Sequence, residues 1–503
     1  MKDKILYLIE GILDVGIAKS LLEKHNGEFY ALIDTNEHVK KFFLEQKIVQ
    51  FQKVWFYRDY VLNLNKTPDI NYLAEFEKKY SINLWQIAYS DRNFYEHNYY
   101  HKFSSKEILA ILEIECKLFE EILDEVKPNF AIIKSPDYHQ SQLLLEICHA
   151  KKIRVLTLNH TRFGYRCNIS NQTDRLDYID EILDNYTTTK PKTFEELQDL
   201  MKGYTNQNIF MKKEFRASDK KKFRASLYYL WKICNNNYRR YYVNFGRTRL
   251  KIIQHETSLF FKKIFRQSFI NKNLKRSIDI TSKFVYFPLH FQPERSTLID
   301  APFYTNQLEV ILKVSKSLPV DYKLYVKEHP VQVLNSWRPL SFYKSILEMP
   351  NVELLHSSIS NDEILKHCSL VIVITGTLGL EAAFHNKPSI VFSETIFSGL
   401  PSVHVLKSLT ELPDAIRKSL NKKIDLLDLT KYTNCILDNS FEYDVAKFEA
   451  SLHNRFFFGG FLFDVDLSVK DVADAIDENK TTFDNIASEY INAIKRYKEH
   501  KGY

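Results

Sequence analysis

Ser369-Leu-Val-Ile-Val-Ile-Thr-Gly-Thr-Leu-Gly-Leu-Glu-Ala-Ala-Phe-His-Asn-Lys-Pro-Ser-Ile-Val-Phe392 decides how the rest of the chain is read. Leu370 to Ile374 is a continuous, largely β-branched apolar run, the pattern of a parallel strand buried on both faces. Thr375-Gly376-Thr377 stops it, Leu378 to Phe384 opens as a helix, and Lys387-Pro388 closes that helix before a second apolar run, Ser389 to Phe392. Such a turn aims backbone N–H groups and a helix start at one point, a ready place for a phosphate. An ordinary βαβ unit with a tight turn has the same pattern.

The same alternation extends upstream. Val285 to Leu289 reads as a strand whose end is limited in pairing by Pro288, and it runs into His290-Phe-Gln-Pro-Glu-Arg-Ser296. Asn306 to Ser317 and Phe342 to Leu347 read as helices. Lys323 to Val326 is a strand ending at Lys327-Glu-His-Pro330, Val352 to Leu355 is another, and Ser360 to His367 is a helix. Three strand ends should therefore converge: Gln292 to Glu294, Glu328 to Pro330 and Thr375 to Gly379. In an open parallel sheet, ligands sit beyond the carboxyl ends of the strands.

The first part of the chain has its own alternation. Ile5 to Ile9 and Phe29 to Ile33 read as strands around a helix from Ile12 to Lys24. Ser105 to Lys127 is an amphipathic helix, and Ser104 and Glu107 suit a capping box. Phe130 to Ile133 ends at Ser135-Pro136-Asp137, Gln140 to Ala150 is helical, and Val155 to Leu158 ends at Asn159-His160-Thr161-Arg162. Lys470 to Tyr497 has helical spacing, suited to a terminal helix that packs back across an earlier domain. A chain of 503 residues exceeds one core. The expected division is 1–205 as an acceptor-side α/β domain, 206–278 as a basic helical segment, 279–440 as a nucleotide-sugar domain, and 441–503 as a helical region on the first domain.

Hydrophobic residues make up 45% and charged residues 26%, an ordinary globular balance. Six scattered cysteines without a CxxC pair argue against a zinc site or a disulfide framework and favour a reducing cytosol. No run approaches the roughly 18 apolar residues of a membrane span. The net charge of +7 is local: residues 211–276 hold 19 Lys or Arg against three acids, so the remainder is acidic. The basic residues alternate with Phe, Tyr and Trp231. That composition suits a peripheral arm on an anionic membrane surface or a solvated helical linker packed through its aromatic face. Nucleic acid is not expected as a partner.

His329 follows a strand directly and is pinned by Pro330, so its imidazole can donate to a phosphate oxygen or protonate a leaving group. Glu381, one turn into the helix after Thr377, can reach ribose hydroxyls or complement the helix dipole. Neither a Walker loop nor GxGxxG is present, which removes weight from kinase, ATPase and dinucleotide readings. Asp464-Val-Asp466 matches DxD by its letters but lies in the tail. No obligatory metal or separate cofactor is expected.

Tyr286-Phe-Pro-Leu-His-Phe-Gln-Pro-Glu-Arg-Ser-Thr297, Tyr325-Val-Lys-Glu-His-Pro330, Thr375-Gly-Thr-Leu-Gly-Leu-Glu-Ala382 and Lys387-Pro-Ser-Ile390 resemble the capsule polysaccharide biosynthesis proteins. That group includes the bacterial Kdo transferases. The His-Pro pair is also similar to that of bacterial sialyltransferases. The matching blocks lie at about 284–395, and the first half is loosely similar around Trp85, Arg92 and Asp137. The resemblance implies a GT-B glycosyltransferase: two Rossmann-like domains with a cleft between them. It implies a CMP donor carrying Kdo, pseudaminic, sialic or a related ulosonic acid, and a capsule or lipopolysaccharide acceptor. It also implies retention of anomeric configuration. The cysteine usage and the basic arm place the expected work in the cytoplasm, peripheral at the inner membrane. Donor contacts would come from Gln292, Glu294, His329, Pro330, Thr375, Gly376, Thr377, Leu378, Gly379 and Glu381. Asp137 is the candidate nucleophile, with Glu294 and Glu328 as rivals. Two other readings share the fold: a transferase using a UDP or GDP sugar or a polyol-phosphate donor, and a non-catalytic glycan-binding scaffold.

Overall fold

The computed structural model describes all residues except Met1, Asn63, Asn65, Lys66, Thr189, 203–218, Asn236, Asn237, 333–337, Gly502 and Tyr503. The chain divides into two compact units: residues 1–177, 203–252 and 439–503 form the first, and residues 178–202 and 253–438 the second. This division differs from the sequence boundaries. The segment after Asp177 joins the second unit, and the basic segment is split between the two at Ile252. Nothing in the hydropathy pattern marks either crossing.

In the first unit the strands are β1 (Asp3–Ile9), β2 (Gly27–Ile33), β3 (Val54–Phe56), β4 (Phe130–Ile132), β5 (Arg154–His160), β6 (Arg166–Ser170) and, from the far end of the chain, β13 (Phe441–Glu442). Their order is β13-β6-β5-β4-β1-β2-β3. The run β5-β4-β1-β2-β3 is parallel. β6 and β13 add an antiparallel edge that the alternating pattern did not foretell.

β1 is apolar throughout because both its faces are covered. Ile5, Tyr7 and Ile9 enter a core that includes Ile17, Phe483 and Tyr490. Leu6 and Leu8 enter the opposite core, with Ile111 and Phe119 of the helix Ser105–Val126. That helix is closed at its start by the Ser104–Glu107 capping box read from the sequence. The terminal helix Lys480–Lys501 lies tight against the helix Ile12–Lys24. A Cβ on Gly16 would stand 2.3 Å from the Phe483 ring, so only glycine permits this approach.

The described residues of the basic segment are more structured than a solvated linker. Within the first unit, Tyr241 and Tyr242 are buried in the second of these cores. The Tyr242 hydroxyl lies 3.4 Å from that of Tyr57, which donates to Glu115 at 2.5 Å. The helix Arg249–Asn273 that follows has Ile270 as its buried residue.

The second unit holds β7 (Lys283–Pro288), β8 (Tyr322–Lys327), β9 (Val352–Leu355), β10 (Leu370–Val373), β11 (Ser389–Val391) and β12 (Val403–Val405). All pairs are parallel and the order is β12-β11-β10-β7-β8-β9. This is the doubly wound Rossmann order, with the strand order reversing between β7 and β10. Val285, Phe287, Leu324 and Val326 face one core with Val310 and Ile311. On the other face the Phe284 and Tyr325 rings stack at 4.3 Å. Both Rossmann-like α/β units expected of a GT-B chain are present. No helix among the described residues is long and apolar enough to cross a membrane. All six cysteines are buried and free.

Candidate functional site

The reversal between β7 and β10 opens the edge of the second sheet at the carboxyl ends of its strands, and β8 lies on the other side of β7. His290 follows β7 and is buried. Its Nε2 accepts the backbone N–H of Thr375 at 3.2 Å, which ties the end of β7 to the end of β10. The proton of the neutral ring is then on Nδ1, which is buried and meets no partner among the described residues. Burial, with His329 and Arg338 nearby, holds the His290 pKa down at about 3, so the ring stays neutral.

Gly376 is where the turn passes this imidazole. A Cβ there would lie 3.0 Å from His290 Nε2, so a larger residue would push the ring or the turn aside. The Thr375 hydroxyl donates to the carbonyl of Ser296 at 3.0 Å. The N–H groups of Gly376 and Thr377 meet no acceptor among the described residues. Leu378 begins the helix Leu378–Phe384, and the Gly379 carbonyl accepts the Ser389 hydroxyl at 2.9 Å.

His329 stands at the end of β8, and its ring centroid is 6.0 Å from that of Phe291. Its Nδ1 accepts the N–H of Val331 at 3.3 Å, just past Pro330. The proton of the neutral ring is therefore assigned to Nε2, the atom suited to donate to an anion. Glu328 is differently placed. Its buried carboxylate accepts Arg338 Nε at 3.0 Å, the Tyr343 hydroxyl at 2.7 Å and the His329 N–H at 2.7 Å. Arg338 also donates to Gln292 Oε1 at 2.7 Å and to the His290 carbonyl. Glu328 and Arg338 thus clamp the loops after β7 and β8 and leave the Glu328 carboxylate surrounded by donors.

Gln292 is held on three sides, since its N–H donates to Gln332 at 2.9 Å and its side-chain nitrogen to the Thr305 carbonyl at 2.8 Å. Glu294 is exposed and precedes the short helix Arg295–Leu298. Glu381 is half-buried, and desolvation pushes its pKa up to about 7 against the pull of Lys327. Lys327 Nζ donates to Asn361 Oδ1 at 2.6 Å, and the Tyr286 hydroxyl donates to the same oxygen at 3.0 Å.

Gln292, Glu328, His329, Pro330 and the turn from Thr375 to Gly379 are therefore drawn to neighbouring strand ends of one sheet. Glu381 lies a turn further on, beside Lys327. Asp137 belongs to the first unit. It is exposed at the carboxyl end of β4, and the Ser135 hydroxyl donates to it at 2.7 Å. The DxD carboxylates are engaged: Asp464 accepts the Tyr238 hydroxyl at 3.3 Å, and Asp466 pairs with His38 at 2.8 Å. Among the described residues no group of three or more His, Cys, Asp or Glu is arranged to hold a metal.

Sequence reading did not assign His290, Arg338 or Lys327 to this region. His290 had a signal: it follows its strand just as His329 follows β8. Arg338 had none, because its partner Glu328 lies ten residues away in sequence and meets it only through the fold.

Residues 185–403 match the family described as capsule polysaccharide biosynthesis protein, which bears out the resemblance seen in the motifs over less than half of the 503 residues. No curated protein matches the chain by sequence. It is similar to the UDP-GlcNAc 2-epimerase of Neisseria meningitidis bound to UDP-GlcNAc, with 12% identity, 86% of this chain and 98% of that chain covered, and a TM-score of 0.25. It is similar to Thermosulfurimonas dismutans KpsC, a beta Kdo 2,7 transferase, with 13% identity, 72% and 86% covered, and a TM-score of 0.29. The N-terminal domain of Candida albicans trehalose-6-phosphate phosphatase is similar at 12% identity, 90% and 97% covered, and a TM-score of 0.30. Likenesses this low carry no argument about activity.

Proposed function

We propose that this chain is a glycosyltransferase that moves an acidic sugar of the Kdo or nonulosonic type from a CMP donor to a bacterial surface glycan, with retention of configuration. The observation that carries this is the joining of the ends of β7, β8 and β10. There a neutral His290 fixes the Thr375 turn, and the Gly376 and Thr377 amides meet no acceptor among the described residues. His329 stands on the adjoining strand end. Amides and imidazole N–H groups are the donors a nucleotide phosphate needs. The family match over residues 185–403 supports a place in capsule polysaccharide synthesis.

In this account His329 donates to the donor phosphate and stabilises charge as the sugar departs. Glu381 reaches the ribose hydroxyls, and its raised pKa lets it donate as well as accept near neutral pH. Glu328 positions His329 through its N–H and is not the nucleophile. Asp137, exposed at its strand end, is the candidate nucleophile from the first unit. No metal enters the reaction.

The same proposal sets the enzyme at the cytoplasmic face of the inner membrane, held there by the helix Arg249–Asn273. Leu250 is 81% exposed, Phe260 63% and Phe265 70%, beside Lys262, Lys263 and Arg266. Such a helix lies in the headgroup plane of anionic lipid.

The test is release of CMP from CMP-activated Kdo and CMP-activated sialic acid, followed by chromatography. Turnover in wild type that falls to background in His329→Ala and Asp137→Asn supports the proposal. Equal background-level release in all three overturns it and favours a glycan-binding scaffold.

A further inference from the structure

Asp137 and Tyr138 lie in the loop that joins β4 to the helix His139–Ala150, of which His139 is the first residue. Asp137 and Tyr138 are exposed, whereas His139 beside them is fully buried. Its two partners come from elsewhere in the first unit. Asp91 belongs to the loop after the helix Leu84–Tyr89, and Glu115 lies inside the helix Ser105–Val126.

His139 Nδ1 pairs with Asp91, and Nε2 pairs with Glu115 Oε1 at 2.9 Å. All three side chains are shut off from solvent. A neutral imidazole has one donor, so it would set a lone pair against one of the two carboxylates. Desolvation works against a charge here, but Glu115 and Asp91 together hold the His139 pKa up at about 10. The ring is therefore a cation near neutral pH. Without it, two carboxylates would be left buried and uncompensated.

Each partner of this ring fixes something else. Asp91 Oδ1 accepts the backbone N–H of Asn93 at 2.5 Å and its side-chain nitrogen at 2.8 Å, which closes the turn that carries Arg92. The Arg92 guanidinium lies 4.8 Å from the Tyr138 ring centroid. Glu115 Oε1, which meets His139, also accepts the Tyr57 hydroxyl. Just past His139, Gln140 Nε2 donates to Asp34 at 2.9 Å, and the Ser141 hydroxyl donates to the Tyr138 carbonyl at 3.0 Å. The His139 ring is thus the inner anchor of the loop whose outer residues are Asp137 and Tyr138.

We propose that His139 is a positioning residue: held between Asp91 and Glu115, it sets the Asp137–Tyr138 loop and the Arg92 turn in one arrangement and so fixes the place of the Asp137 carboxylate. This rests on the transferase reading, in which Asp137 is the nucleophile. His139 touches no substrate in this role. A misplaced nucleophile slows the chemical step and leaves the donor's affinity intact, because in that account the second unit holds the nucleotide.

The test joins donor turnover with NMR on the intact protein. CMP release from CMP-activated Kdo is measured in wild type, His139→Gln and Asp91→Asn, with circular dichroism to verify folding. In both variants kcat should fall about 100-fold while KM changes by less than about threefold. Full kcat in a folded variant, or a loss carried by KM alone, overturns the positioning role. In wild type labelled with 15N-histidine, both ring nitrogens of His139 should stay protonated from pH 6 to pH 9. A ring that loses its proton in that range overturns the role even where neither variant folds. A wild type that releases no CMP removes the transferase reading and this role together, whereas an active wild type with unaffected variants removes this role alone.

Discussion

The His290 imidazole accepts the Thr375 N–H at 3.2 Å, so a side chain just past one strand fixes the turn that ends another. His290→Phe keeps the ring and strands that N–H in a buried place. Stability should fall by about 1–3 kcal/mol. The His290 pKa is depressed in the fold, so its contribution is complete above the ordinary histidine range and is lost as pH falls toward 3. Urea unfolding of both proteins at neutral and at acid pH checks this, and the gap between them should narrow in acid.

Arg338 and Glu328 form an ion pair buried at both ends. Removing only the cation leaves an uncompensated carboxylate, so Arg338→Ala should cost about 3–5 kcal/mol. Glu328→Gln keeps the side chain's volume and one acceptor oxygen, for either Tyr343 or the His329 N–H, and should cost less. Denaturant unfolding orders the two variants, and a larger loss in Glu328→Gln would contradict the clamp.

Glu381 makes stability depend on pH in the opposite sense. Its folded pKa is raised from 4.5 to about 7, so the folded chain keeps a proton that the unfolded chain has lost. Stability therefore falls as pH climbs through that window. Glu381→Gln should be the more stable protein at pH 8, by up to about 3 kcal/mol, and should lose that advantage below pH 4. Thermal melts across the range read it directly.

The helix Arg249–Asn273 should bind vesicles containing phosphatidylserine and not vesicles of phosphatidylcholine alone. Binding should weaken as salt is raised. Replacing Phe260 and Phe265 together by Ser should weaken it about tenfold or more at fixed charge, from the apolar area removed. Co-sedimentation measures both, and unchanged binding of that double variant would rule out insertion.

Much of this was legible in the chain because buried parallel strands are continuous apolar runs. β1, β7 and β10 each announce themselves in that way, and Ser104 and Asn306 mark helix starts by their capping chemistry. β6 and β13 were not legible, since an antiparallel edge of a few residues has no distinctive period and β13 joins a partner far away in sequence. At the site, motif spacing drew out His329 and the Thr375 turn. Glu328 was ranked for chemistry because its neighbours Arg338 and Tyr343 meet it only through the fold.

The central claim is that the strand ends of the second unit grip the phosphate of a cytidine nucleotide. The most direct measurement is the melting temperature of wild type and His329→Ala with CMP, UDP, GDP and CDP. The account predicts that CMP stabilises wild type by several degrees, that UDP and GDP do not, and that His329→Ala loses most of the shift. A wild type that ignores CMP, or a His329→Ala protein that responds as strongly, would contradict it.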